Sequence, residues 1–429
     1  MVRTRDVLAV FVVVLGVITL TGGLGYLAVT IDDRNADTEY SSQTDQTALQ
    51  TETAIAELHV AGITGENVSV GVLDVTGFET DRATLGDQVV ATRQFDETGN
   101  TMDGDAHGTA TALTIARMVP DADLYLGTFE TFDGYAAGLE WMLEQDVDVV
   151  VAPIAYAGTI PDGTSRLSET STTATDRGLV IVAPAGNLGA GHWMGTYQPT
   201  DGIHTFEDET VNDIQGAAGR AEFWLTWDDP SEEYSLELHR LHDQRDETEL
   251  LVRSVAYDGG NGPAHRLTVN LRDDQYGLVV RGPQNATGTT IRVASATHTL
   301  ADGQPAQSVT APASAPGVIS VGAIDPATGD IEEFSSRGPT TDGRLGISVV
   351  APASQPVGDE PFVGTSASAA FTGGVAALVL DVEPTLEPED VRWLLATSAD
   401  ANDSVNPATG YGRIDPHGAI EEAADRDAG

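Results

Sequence analysis

The chain contains no cysteine and no lysine. The absence of cysteine excludes disulfides, a thiol nucleophile and Cys-ligated metals. It does not decide the compartment, because secreted proteins also do without disulfides. Aromatic residues are few, at 6%, but apolar residues make up 41% of the 429 residues. This length and composition predict a sizeable core and room for two compact domains.

Positive charge is also scarce. The 21 basic residues, all arginine, face 66 Asp and Glu, so the formal net charge is −45. The acids are dispersed along the chain, which indicates a folded protein with an acidic surface that repels itself at low salt, as in halophiles. We therefore interpret the chain as a protein of a halophilic archaeon; an ordinary acidic extracellular protein is the alternative. Nucleic acid is disfavoured as a partner, because phosphate contacts need a basic patch.

Residues 7–31 form an uncharged, largely apolar stretch. At about 1.5 Å per residue it would reach roughly 37 Å, more than the hydrocarbon core of about 30 Å. Two arginines precede it and two aspartates follow it, so the positive-inside rule puts the rest of the chain outside the cell. Residues 1–31 are thus predicted to be a transmembrane anchor, with a cleaved signal segment as the alternative. Residues 32–53 are polar and predict a solvated tether.

Apolar runs of strand length recur beyond the tether, and they are nearly continuous in Val, Ile and Leu. They lie at 68–74, 122–127, 147–155, 178–186, 317–324 and 346–352. Helical patterns occur at 107–118, 134–145, 366–381, 388–397 and 416–424. Continuous runs are typical of parallel strands buried on both faces. The alternation predicts a doubly wound α/β sheet with its functional groups at the carboxyl ends of the strands.

Residues 195–307 break this pattern. They contain short runs that alternate apolar and polar side chains, separated by turn signals such as the Asp-Gly-Gly-Asn-Gly of 258–262. We predict that they form an antiparallel β-sandwich inserted into the α/β domain. The α/β domain itself would then comprise residues 54–192 and 308–424.

Four polar residues stand at positions suited to chemistry. Asp74 ends a predicted strand, His107 begins a predicted helix, Asn187 follows another strand, and Ser366 begins a helix of small residues. Taken singly, each also suits a turn, a core position or a helix cap. Together they offer a hydroxyl at a helix N-terminus, a base, a carboxylate and an amide donor for an oxyanion.

The sequence motifs around these residues resemble those of the subtilisin-like serine peptidases, or subtilases. HGT, VIVAPAGN and GTSASAA match the histidine, asparagine and serine motifs, and the Asp…His…Ser order is that of subtilisin. The resemblance covers about 54–192 and 308–424. It implies a subtilisin-type fold, a catalytic triad, an oxyanion donor and a substrate-binding segment. The residues concerned are Asp74, His107 and Ser366, then Asn187, then Pro153, Ile154 and Ala155.

The motifs depart from the family pattern without removing a catalytic group. The first motif is Asp74-Val75-Thr76-Gly77, one residue longer than the usual Asp-Thr-Gly. Ala110 replaces the second histidine of the histidine motif, Ala370 the proline of the serine motif, and Pro153 a serine of the substrate-binding wall. These changes concern cleft geometry and substrate preference.

The resemblance implies a serine endopeptidase that acts on polypeptides, and the apolar stretch 7–31 predicts that it is membrane-anchored or secreted. The resemblance implies no required cofactor. Structural calcium is common in the family, but no compact acidic loop here predicts metal ligands. A catalytically inactive surface binding or adhesion protein is the alternative, and retention of all four groups argues against it. A non-peptidase α/β hydrolase lacks support, because no G-x-S-x-G elbow surrounds Ser366.

Overall fold

The computed structural model describes residues 53–81, 85–96, 107–242, 248–257, 261–286, 288–358, 360–400 and 404–427. The predicted anchor or signal segment of residues 1–31, and all of the tether except its last residue, lie outside these ranges. The helices are 53–60 (α1), His107–Met118 (α2), Phe132–Glu144 (α3), Arg166–Thr175 (α4), Thr365–Val382 (α5), Pro388–Thr397 (α6) and Pro416–Asp427 (α7).

The strands fall into three groups along the chain. The first group is β1 (Ser69–Asp74), β2 (Val89–Gln94), β3 (Asp123–Thr128), β4 (Val149–Val151) and β5 (Val180–Pro184). The second group is β6 (His192–Thr196), β7 (Pro199–Thr200), β8 (Ile203–His204), β9 (Asn212–Gln215), β10 (Gly219–Trp227), β11 (Ser235–Leu241), β12 (Thr248–Arg253), β13 (Val255–Tyr257), β14 (Ala264–Leu271), β15 (Tyr276–Arg281), β16 (Thr290–Ala294) and β17 (Thr299–Leu300). The last group is β18 (Ile319–Ile324), β19 (Val349–Pro352), β20 (Ser354–Val357) and β21 (Glu360–Val363).

The central sheet has the order β19-β18-β5-β4-β1-β3-β2, and its strands are parallel. Both of its faces are covered. Val70 and Val72 of β1 pack in the same cluster as the apolar residues of α2 and α5, whereas Leu73 packs with those of α3 and α4. Successive side chains of a strand point to opposite faces, so a strand buried on both sides must be continuously apolar. The predicted doubly wound α/β sheet is therefore confirmed.

The second group of strands forms antiparallel sheets. One runs β13-β14-β10-β16-β6, and the other runs β12-β11-β15-β8-β7, with β9 and β17 paired at its side. Apolar side chains of both meet in one core, for example Phe223 of β10, Leu238 of β11 and Leu278 of β15. The predicted inserted antiparallel β-sandwich is confirmed as part of the fold class. Its first strand begins at His192, three residues before the predicted start of the 195–307 segment; that domain division stays a prediction.

One predicted strand is shorter than expected. The apolar run 147–155 forms a strand only over Val149–Val151. Pro153 has no N–H for a ladder, and the N–H of Ile154 turns back to the carbonyl of Ala152 at 2.8 Å. Ile154 nevertheless remains buried, in the cluster that also contains Leu73 and the apolar residues of α3. The apolar run 147–155 is therefore longer than the strand because residues beyond the strand end are also buried.

Other elements were not predicted from the sequence. Helix α4 reads RLSETSTTAT and has little apolar periodicity. Hydroxyls on it, such as those of Ser171 and Thr175, donate to the carbonyl four residues earlier, which makes these residues poor helix signals. Strand β2 is a largely exposed edge strand, and the β20–β21 hairpin contains two prolines.

Within the described ranges, only α5 is long and apolar enough to cross a bilayer, and it is the buried central helix of the fold.

Candidate active site

Asp74 is the last residue of β1, at the carboxyl end of the parallel sheet. Its side chain is completely buried. One carboxylate oxygen, Oδ1, accepts hydrogen bonds from the N–H and the hydroxyl of Thr76, both at 2.7 Å. The other, Oδ2, lies 2.6 Å from Nδ1 of His107. Both oxygens therefore have partners, as a buried carboxylate requires.

Thr76 gives a physical reason for the longer first motif. With Val75 inserted, the threonine hydroxyl reaches back to the Asp74 carboxylate and also accepts a hydrogen bond from Gly108 N–H at 2.9 Å. Gly108 lies in the first turn of α2, where N–H groups lack helical partners. A Cβ on Gly108 would come within 2.5 Å of the Gly77 carbonyl, so this close approach requires glycine. Thr76 thereby ties the strand end to the start of α2.

His107 is the first residue of α2. Its imidazole is mostly buried, and its Nδ1 faces Asp74. The ring meets the edge of Phe362, with ring centroids 5.2 Å apart. Phe362 belongs to the β20–β21 hairpin, which leads through Gly364 into the helix that carries Ser366. The hairpin thus brings the histidine and serine segments together.

Ser366 lies in the first turn of α5 and is mostly buried. The residue before the helix, Gly364, has φ of +127°, a backbone conformation that only glycine adopts readily. The Ser366 hydroxyl donates to the carbonyl of Pro153 at 3.2 Å. A hydroxyl has one hydrogen. In this structure the hydroxyl hydrogen is therefore engaged with the Pro153 carbonyl.

Asn187 follows β5 at the same edge of the sheet. Its side-chain oxygen accepts from the N–H and the hydroxyl of Thr365, at 3.1 and 2.8 Å. Because the amide oxygen is engaged in this way, its nitrogen is the group left to donate to a ligand. The amide lies next to Gly364, where an added Cβ would be 3.3 Å from Nδ2. An amide donor and the N-terminus of α5 therefore border the same space.

The predicted substrate-binding residues Pro153, Ile154 and Ala155 follow β4, which lies between β1 and β5 in the sheet. Pro153 contacts Ser366 through its carbonyl. Ile154 is buried. Ala155 lines a small cavity that Asn187 also borders. The structure thus brings Asp74 into contact with His107, and Ser366 into contact with Pro153, at one edge of the sheet.

Two positioning residues escaped the sequence analysis. Thr76 and Thr365 hold the side chains of Asp74 and Asn187. Thr365 stands beside the serine in the Gly-Thr-Ser motif, so the motif could have pointed to it. The sequence signal for Thr76 was the departure of the first motif from the usual spacing.

In the part of the chain that the structure describes, no group of three or more His, Asp or Glu side chains could hold a metal ion, so no calcium ligand is assigned.

The subtilase family model matches residues 255–412, less than half of the chain. That range includes Ser366 but begins after Asp74, His107 and Asn187. Subtilisin E of Bacillus subtilis is 31% identical over 150 residues, covering 31% of this chain and 38% of subtilisin E. The alkaline protease of Alkalihalobacillus alcalophilus is 35% identical over 150 residues, with 31% and 37% covered. The chain thus spans well under half the length of these relatives.

Solved structures resemble the fold over most of the chain. The CspB protease of Clostridium perfringens superposes with a TM-score of 0.65 at 18% identity, covering 88% of this chain and 97% of that one. Fervidolysin of Fervidobacterium pennivorans, a keratinolytic enzyme related to subtilisin, gives a TM-score of 0.50 at 19% identity, covering 90% and 48%. The fold is therefore of the subtilisin type. At these identities the neighbours show the fold alone, and the match to the subtilase family model covers residues 255–412.

Proposed function

We propose that this protein is a serine endopeptidase in which Asp74, His107 and Ser366 form the catalytic triad. The observation that carries the proposal is the 2.6 Å contact between Asp74 Oδ2 and His107 Nδ1, made by a fully buried carboxylate. A second observation supports it: Ser366 lies in the first turn of the helix whose N-terminus borders the Asn187 amide. Polypeptides are the substrate class that this chemistry implies.

In the proposed reaction, the contact with Asp74 leaves Nε2 of His107 as the base. The Ser366 hydroxyl attacks the peptide carbonyl carbon, its proton moves to Nε2, and a tetrahedral oxyanion forms. The C–N bond then breaks, and Nε2 returns the proton to the leaving amine. Water attacks the acyl-enzyme in the same manner and releases the second product. Asp74 holds the imidazole in one tautomer and stabilises its charged form.

The oxyanion would receive hydrogen bonds from Asn187 Nδ2 and from the backbone N–H of Ser366. Both groups are held before substrate arrives, the amide by Thr365 and the backbone by helix α5. Preorganised donors of this kind stabilise charge that develops only in the transition state. The segment 153–155 is proposed to line the cleft, where an extended peptide could pair with it as an added strand.

The cellular setting is also a proposal. The apolar stretch 7–31, with basic residues before it and acidic ones after it, supports a catalytic domain outside the cell, anchored or secreted. The net charge of −45 and the absence of lysine support a halophilic archaeal origin. Determining the N-terminus of the mature protein by mass spectrometry distinguishes an anchor, which is retained, from a signal segment, which is removed.

The test is covalent labelling by a fluorophosphonate probe together with casein cleavage in high salt. The wild-type protein should be labelled and active, and Ser366→Ala should lose both properties while keeping its circular dichroism spectrum. Ser368→Ala is the matched control, since this buried serine lies in the same helix and donates to the Ala351 carbonyl. Continued labelling of a folded Ser366→Ala protein would exclude Ser366 as the nucleophile. A folded wild-type protein that is neither labelled nor active would support the inactive binding or adhesion protein instead.

A further inference from the structure

A cavity beside Asn187 has walls from two parts of the fold. The α/β domain contributes Ala155, Asn187 and Leu188, and the inserted sandwich contributes Glu222, Trp224 and Ala296. The sandwich therefore reaches the proposed active site directly. Nothing in the motifs predicts this, because they stop before the insert and resume after it.

The position of this cavity relates it to one side chain of a substrate. If the Asn187 amide binds the oxyanion, the residue that carries the scissile carbonyl has its Cα one bond away from the reacting carbon. Its side chain must then leave the cleft between Asn187 and the segment containing Ala155, where the cavity opens. This step rests on the proposed peptidase function.

The sandwich wall is rigidly built. The Trp224 indole is almost fully buried and meets Tyr156 of the α/β domain edge to face, with centroids 5.3 Å apart. It also contacts Tyr257 at 4.9 Å and lies under the guanidinium of Arg266 at 5.1 Å. Its Nε1 donates to Glu222 Oε1 at 3.0 Å. A wall held on several sides has a defined shape and does not yield easily to a larger ligand.

A second anchor fixes the opposite wall to the sandwich. Arg292 of β16 is buried, and its Nη1 donates to the carbonyls of Ala157 and Thr159 at 2.6 and 3.1 Å. These carbonyls belong to the loop that follows Ala155. The loop and the sandwich therefore hold each other in place on both sides of the cavity.

The chemistry of the cavity favours an uncharged side chain. Glu222 is buried, but its carboxylate is already paired with Arg266 and lies 3.5 Å from Arg220. With its charge balanced in this way, it offers little to a lysine or arginine of the substrate. Apart from the Asn187 amide, the remaining surface is aliphatic or aromatic, from Ala155, Ala157, Leu188, Trp224 and Ala296.

The cavity is also small. Its volume is about 20 Å³, little more than one water molecule needs. We propose that the inserted β-sandwich, through Trp224 and Ala296, forms the wall of the pocket for the substrate residue that precedes the scissile bond. The pocket selects alanine, serine or glycine there and rejects larger side chains.

The test uses the full-length protein and quenched peptides that differ only in the residue before the scissile bond: Gly, Ala, Leu, Phe or Arg. The wild-type protein should cleave the Ala peptide with a kcat/KM at least about 10-fold above that of the Leu peptide, as expected where bulk is rejected. Trp224→Leu should shift this ratio by about 10-fold or more towards Leu. Trp227→Leu, in the same strand but facing the sandwich core, is the matched control and should keep the ratio.

A filling variant covers the case in which Trp224→Leu does not fold. Ala296 is only partly buried, and Ala296→Leu should lower kcat/KM for the Ala peptide by about 10-fold relative to the Gly peptide. Ala301→Leu, at an exposed position of the same region, should not change that ratio.

The outcomes separate the two proposals. A wild-type protein that is labelled by fluorophosphonate but prefers Leu, Phe or Arg overturns the pocket and leaves the peptidase function standing. Unchanged peptide ratios in folded Trp224→Leu and Ala296→Leu proteins also overturn the pocket assignment. A wild-type protein that is neither labelled nor active overturns the proposed function, and the pocket assignment with it.

Discussion

The side-chain oxygen of Asn187 accepts two hydrogen bonds from Thr365, one from its N–H at 3.1 Å and one from its hydroxyl at 2.8 Å. Thr365 stands beside Ser366 at the start of α5. The residue before the proposed nucleophile thus orients the proposed oxyanion donor. Nucleophile and donor are positioned by one helix terminus, so a shift of that terminus would displace both.

Replacement of Asn187 by alanine should lower kcat by about 10²–10³ with little change in KM, because the oxyanion exists only in the transition state. Thr365→Val keeps the N–H contact and loses the hydroxyl contact, so a smaller loss of kcat is expected. In the double variant the Thr365 change should add little, because the group it orients is gone. Steady-state kinetics on one peptide measure all three. A loss confined to KM would show that Asn187 binds substrate in its ground state.

Asp74→Asn should lower kcat by about 10⁴ without unfolding the protein, because an amide no longer fixes the histidine tautomer or its charge. Asp148→Asn is the matched control. Its carboxylate accepts from the N–H and hydroxyl of Ser69, so it contacts β1 at the end opposite the site. Its kcat should stay near that of the wild type. Equal losses in the two variants would indicate a general effect on the strand.

The burial of His192 in the inserted sandwich leads us to expect that stability depends on pH. Burial and, secondarily, the charge of Arg292 lower its pKa to about 3, and the neutral ring accepts from Arg292 Nε and faces the Gln304 carbonyl. The unfolded chain, with an ordinary pKa of about 6.5, binds a proton that the folded chain excludes. Stability from this group is therefore complete above about pH 6.5 and falls as the pH drops towards 3.

Between pH 7 and pH 5 the loss from His192 should be about 2 kcal/mol in the free energy of unfolding. Urea titrations in high salt at both pH values measure it. In His192→Asn that part of the decrease should disappear. The difference between wild type and variant at pH 8 supplies the pH-independent cost of the substitution. An identical pH dependence in both proteins would show that His192 is not held neutral.

The acidic surface predicts a requirement for salt. The Debye length is about 10 Å at 0.1 M salt and about 3 Å at 1 M, so surface carboxylates repel one another much less at high salt. Each pair contributes about 1 kcal/mol at 4 Å in water, but many such pairs compare with a net stability of only about 5–15 kcal/mol. Residues 45–429 should therefore show a Tm that rises across a potassium chloride series. A flat or falling Tm between about 0.1 M and 3 M would remove the halophile interpretation and leave the peptidase proposal untouched.

The α/β sheet could be predicted from the sequence, because parallel strands covered on both faces must be continuously apolar, as β1 and β5 are. The β-sandwich could be predicted too, from alternating runs that form strands such as β11 and β14. The four polar residues were found because each lies at or just after the end of a strand, or in the first turn of a helix, within a recognisable motif.

How these side chains are held and what surrounds them could not be predicted from local sequence patterns. The contacts of Thr76 with Asp74 and of Thr365 with Asn187 depend on how loops return to the site. Helix α4 and the β20–β21 hairpin carry weak local signals, and packing against the rest of the fold stabilises them. The approach of Trp224 to Asn187 joins residues from separate folding units, and no local pattern encodes it. Periodicity records which side chains are buried, whereas contacts between distant segments follow from how the layers pack.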